Sequence, residues 1–99
     1  MTTKKNTATT PFDASEYLKD EEDMAALLDA ALDDGHPGVI ANALGAIAKA
    51  RGMTKIAQDT GLSREALYRT LSAQGNPELA TLLKVLRALG LRLHATPAA

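Results

Sequence analysis

Between Lys55 and Ser72 the chain reads KIAQDTGLSREALYRTLS, and this stretch leaves few ways to fold. Two amphipathic patterns lie on either side of Gly61, with no room for a longer connection. Helices joined so tightly need a residue that tolerates positive φ at the turn and a small side chain where they touch. They also need apolar residues beside both contacts. Gly61 supplies the turn, and Ala57, four residues earlier, supplies the small contact. Ile56, Leu62 and Leu67 are apolar where a shared core would want them, and Thr70 is a weaker fourth contact. Each feature is common alone. In this order, between two other amphipathic stretches, they form a helix-turn-helix signal.

The flanks are helical in pattern too. From Asp13 the spacing Asp-Ala-Ser-Glu reads as a capping box, with Tyr17 and Leu18 on one side of a short helical turn. DEEDMAALLDAALDD then opens with acids suited to a helix N-terminus. It continues with Met24, Leu27, Leu28, Ala31 and Leu32 at helical spacing and stops at Gly35. No lysine or arginine closes it, so Asp33 and Asp34 sit against the negative end of the helix dipole, and the helix must gain its stability from packing. Pro37 is placed as a first helical residue, ahead of a stripe of Ile40, Ala43, Leu44, Ile47 and Ala48 that ends at Arg51-Gly52. Thr54 and Ser63 are the expected N-caps of the central pair, the second helix running to about Ser72. Asn76-Pro77 reads as the N-cap and first residue of a last helix carrying Leu79, Leu82, Leu83, Leu86 and Leu89 and ending at Gly90. Leu91 to Ala95 alternates apolar and polar, which predicts a short strand with Leu91 and Leu93 on one face.

In 99 residues, 45% hydrophobic but only 3% aromatic, the apolar content is mostly alanine and leucine. That favours thin, closely packed helices over a sheet. The expected fold class is all-α: a flexible tail over residues 1–12, an acidic helical segment over 13–35, a helix-turn-helix bundle over 36–90, and a strand with tail over 91–99.

Charge divides along the same line. Residues 1–35 carry three lysines against nine carboxylates, a net of −6, and residues 36–99 carry eight bases against three acids, a net of +5. The two halves suit different partners, phosphate for the basic one and a cationic protein for the acidic one; a merely solubilising acidic helix is the plain alternative. Cysteine is absent, which excludes disulfide scaffolds, thiolate metal sites and thiol nucleophiles. His36 and His94 stand alone, and no phosphate-cradling glycine loop or nucleophile-elbow pattern occurs. No enzyme, cofactor or metal is expected. No stretch approaches the roughly 20 apolar residues of a membrane span, and MTTKKNTATTPF lacks the apolar run of an export signal, so a cytoplasmic location is expected.

The order Ile56-Ala57, Gly61-Leu62-Ser63, Leu67, then Gly75-Asn76-Pro77 and a leucine-rich last helix makes residues 38–90 resemble the five-helix phage-repressor, or Cro/C1, type of DNA-binding domain. With FDASEYLKDEEDMAALLDAALDDG ahead and LRLHATP behind, nearly the whole chain is similar to the addiction-module antidote proteins, the HigA-like antitoxins. That resemblance implies a lambda-repressor-like fold. It also implies an antitoxin that neutralises a RelE/HigB-like ribonuclease toxin and represses its own operon. A stand-alone repressor without a toxin is the alternative, and a helical pair that only packs is the third reading.

If the second helix of the pair enters the major groove, Ser63, Arg64, Glu65, Tyr68 and Arg69 can reach DNA, with Lys55 and Gln58 positioning phosphates. Arg64 and Arg69 can donate to guanine or clamp phosphate; Glu65 can accept from cytosine or bridge Arg69; Tyr68 can touch DNA or pack. Under the antitoxin reading Met24, Leu27, Leu28 and Leu32 are anchors for the toxin, steered by Glu21, Glu22 and Asp23, unless the same stripe packs on the chain's own core. Reading two half-sites calls for a homodimer, for which Leu91 and Leu93 on an open strand edge are the candidate contact.

Overall fold

The structure, a computed structural model, describes residues 17–98, so the tail over 1–12 and the Asp13 capping box lie outside the described residues. Five helices follow one another: α1 (Glu21–Asp34), α2 (Pro37–Arg51), α3 (Met53–Thr60), α4 (Arg64–Thr70) and α5 (Leu79–Leu89). The fold is all-helical among the described residues.

The helix starts show how local chemistry sets the elements. Asp20 is extended, and its carboxylate accepts the Asp23 N–H at 2.9 Å, placing Glu21, Glu22 and Asp23 in the first turn of α1. At α2 the cap is His36, whose Nδ1 accepts the Gly38 N–H at 3.0 Å ahead of Pro37 at the first helical position. Gly35 and Gly90 end α1 and α5 in the left-handed region. After Gly90 the Leu91 N–H reaches back to the Leu86 carbonyl at 2.9 Å, and Leu91 folds against the core.

A single core unites all five helices: Met24 and Leu28 of α1 meet Leu44, Ile47 and Ala48 of α2, Met53 and Ile56 of α3, Leu67 of α4, and Val85, Leu86 and Leu89 of α5. α1 packs on α2, α5 on α3, and α4 on both α3 and α2. Gly45 allows a close approach of α2 to the end of α4. A Cβ at Gly45 would overlap the Leu71 carbonyl oxygen at the end of α4, so only glycine lets α2 come this near.

Four expectations are corrected. Thr54 is not a cap: α3 begins at Met53, directly after Gly52, with no side-chain cap bond, because Gly52 alone turns the chain and Met53 is already needed in the core. Asn76-Pro77 does not start α5, whose N-cap is Glu78. Proline holds its predecessor extended, and the stripe reaches the core only from Leu82 onward. That stripe is Leu82, Val85, Leu86 and Leu89; Leu79 and Leu83 face out, at 65% and 47% exposure. No strand forms over Leu91–Ala95, nor anywhere among the described residues, since a strand exists only with a partner to complete its ladder.

Candidate functional site

The helical pair closes as its residues require. Gly61 sits at φ 77, and its N–H bonds the Ala57 carbonyl at 2.9 Å. Beside it the buried Thr60 hydroxyl donates to the Ile56 carbonyl at 2.8 Å and accepts the Leu62 N–H at 3.3 Å. One side chain thus satisfies both the end of α3 and the turn. Ser63 caps α4, its hydroxyl accepting the Ala66 N–H at 3.0 Å.

Leu67 is fully buried and Leu71 nearly so; together they pin the inner side of α4. Helical spacing then turns Arg64, Glu65, Tyr68 and Arg69 outward, and all four are exposed. The Arg64 guanidinium carbon lies 6.0 Å from the centroid of the Tyr68 ring, a weak cation–π contact that lays one side chain across the other. Tyr68 remains 49% exposed, so packing does not consume it. Among the described residues Glu65 makes no ion pair with Arg69, which leaves its oxygens available as acceptors. On α3, Gln58 is exposed, while Lys55 Nζ lies 3.1 Å from Asp59 Oδ2. That exposed pair is worth well under about 1 kcal/mol and is easily exchanged for a phosphate. The resulting surface mixes guanidinium donors, one carboxylate acceptor and a hydroxyl on one short helix, groups that can bond to phosphates or to base edges.

The acidic stripe divides. Met24 and Leu28 are buried at 3% and 5% exposure in the chain's own core and Leu27 is half-buried, whereas Leu32 is 38% exposed and Glu21 and Glu22 lie open. Met24 and Leu28 are therefore not accessible anchors in this fold, because the core claims them. Asp23 is partly covered and accepts the Lys19 N–H at 3.0 Å. Arg51, which sequence reasoning passed over, fixes α1 to the rest. Its Nη2 donates to Glu21 Oε2 at 2.8 Å and to the Leu89 carbonyl at 3.2 Å. No local signal reveals this contact, since its members lie 30 and 38 positions apart.

Two grooves flank α1. One, of about 440 Å³, lies between Ala25, Ala26, Leu28 and Leu32 and the segment carrying Leu91 and Leu93. The other, of about 250 Å³, lies between Leu27, Ala30 and Ala31 and the α2 residues Val39, Ala43 and Ala46. Leu91 is half-buried and Leu93 is 38% exposed. Among the described residues no cluster of three His, Cys, Asp or Glu could hold a metal, and no helix is long and apolar enough to cross a membrane.

Residues 8–97 match the family described as probable addiction module antidote protein. A Haemophilus influenzae protein described only as an uncharacterized protein is 47% identical over 83 residues, which cover 84% of this chain and 86% of that one. No solved structure matches the chain.

Proposed function

The chain belongs to the probable addiction module antidote proteins, and from that membership we propose that it is the antitoxin of a toxin–antitoxin pair. In this reading it neutralises a RelE/HigB-like mRNA-cleaving ribonuclease and represses its own operon as a homodimer. The family match carries the antitoxin role.

The observation that supports DNA reading is α4 itself. A three-residue turn, Gly61 to Ser63, sets a short helix whose inner side is held by Leu67 and Leu71 and whose outer side offers Arg64, Glu65, Tyr68 and Arg69. With α4 in the major groove, the arginines donate to guanine O6 and N7 or to phosphate. Glu65 accepts from cytosine, Tyr68 braces Arg64, and Lys55 and Gln58 hold the backbone from α3. Ser63 works mainly on its own helix. Two copies would read half-sites about 34–36 Å apart. The homodimer rests on this two-half-site requirement alone, and its contact surface is not assigned to the Leu91–Ala95 segment, which forms no strand.

Two assays test the reading. If a small reading frame adjoins the gene, co-expression of the chain with its product should restore growth that the product alone arrests. Mobility shift on the chain's own promoter fragment should show binding that weakens steeply with salt. Promoter binding without rescue would leave a stand-alone repressor; rescue without promoter binding would remove the DNA-reading role.

A further inference from the structure

With the inward stripe of α1 committed to the core, what remains for a partner is its outward side. Glu22, Ala26, Asp29, Ala30 and Asp33 are all exposed along this side. They form a low ridge of alanines and carboxylates. A largely apolar groove runs along each flank, the first also lined by Asp29, Arg92 and His94 and the second by Asp34 and Asn42. Three of the large apolar side chains left in solvent border them: Leu32 and Leu93 on one, Val39 on the other.

The electrostatics specify the occupant. α1 carries six carboxylates and no base. Glu21 is neutralised by Arg51, Asp20 and Asp23 serve backbone N–H groups at the helix start, and Asp34 accepts the His36 N–H. Glu22, Asp29 and Asp33 have no hydrogen-bond or ion-pair partner among the described residues. Asp33 also lies in a last turn that holds no base, where a negative charge opposes the helix dipole. A local rule broken with no compensation inside the chain marks a position kept for something outside it. Nucleic acid is repelled by this ridge; a cationic protein is drawn to it.

We propose that the outward ridge of α1 and its two flanking grooves seat a basic protein partner. That partner sets aliphatic side chains into the grooves and lysines or arginines over Glu22, Asp29 and Asp33. This rests on the antitoxin reading, in which the partner is the toxin. The alanines are part of the design, since Ala26 and Ala30 let the partner approach the helix closely while the leucines on either side are covered.

The test uses the full chain and, as the probe, a purified RelE/HigB-like ribonuclease whose growth arrest the chain relieves, titrated by calorimetry, with three variants. Ala26→Arg fills the ridge, Asp33→Lys reverses a ridge charge, and Ala80→Lys adds a charge on an exposed position of α5. Ala26→Arg is expected to weaken binding about 30-fold or more, the loss typical of a central contact. Asp33→Lys is expected to weaken it at least tenfold while leaving the melting temperature unchanged or higher, because lysine suits a helix C-terminus. Ala80→Lys should bind as the parent does. Parent-like affinity in both ridge variants overturns the proposed surface while leaving the antitoxin reading intact, whereas no binding by the parent chain overturns the reading itself. Loss of self-association in Ala26→Arg, measured by sedimentation without the partner, would show that a second copy occupies the grooves and would also overturn the proposal.

Discussion

Replacing Gly45 by alanine sets two effects of known size against each other. In an open helix the change would stabilise the chain by about 0.8–1 kcal/mol, since alanine is the better helix former. Here the new methyl would overlap the Leu71 carbonyl oxygen. That neighbour is backbone at the end of α4, beside a fully buried Leu67, and it cannot swing aside as a side chain would. Overpacking of this kind costs about 1–3 kcal/mol, and the rigid neighbour puts the cost toward the upper end. The net expectation is a loss of about 1–2 kcal/mol. For a domain of this size that lowers the melting temperature by roughly 4–16 °C, at about 4–8 °C for each kcal/mol. Urea denaturation followed by circular dichroism measures it, with an unchanged slope excluding a change in the denatured state. Because the displaced carbonyl belongs to α4, promoter binding should fall further than the loss of folded protein explains. A Gly45→Ala chain as stable as the parent, or more so, would show that α2 and α4 are not in the close contact described.

Gly61→Ala has open space for its methyl but must hold φ at 77, so it is expected to cost about 1–2 kcal/mol by the same denaturation assay. Ser63→Ala removes the cap bond to Ala66 and should cost about 1 kcal/mol, whereas Ser63→Asp should retain most of it. His36→Ala is expected to lose a similar amount, and His36→Asp to recover it by restoring an acceptor for Gly38. Arg64→Ala should weaken promoter binding by about 1–3 kcal/mol and relax preference at one base pair without weakening all sequences alike, as competition mobility shifts would reveal.

The parts of this fold that were legible in the sequence are those fixed by near neighbours. Gly35, Gly61 and Gly90 end their helices as read, Ser63 caps α4 and Pro37 starts α2. The outward row Arg64, Glu65, Tyr68, Arg69 follows from burying Leu67. The misreadings have a common cause in contacts made across the molecule. Five leucines in the last helix look equivalent along the chain, but only the core decides that Leu79 and Leu83 stay outside while Val85 goes in. Met24 and Leu28 could equally have served a partner, and it is α2 that claims them. Ala25, Ala26 and Asp29 carry no pattern of their own; they gain significance only when the segment after Gly90 comes to lie beside them.

Because Met24 and Leu28 share one core with Leu67, the acidic helix and α4 answer to one folding equilibrium. A ligand that grips α1 only when it is folded stabilises α3 and α4 by mass action, by about 2.7 kcal/mol at a hundredfold excess over its dissociation constant. A chain deprived of such a ligand keeps only its intrinsic margin. The lifetime of the folded α4 surface in a cell would then track the supply of whatever occupies α1, with no structural change needed to transmit the message.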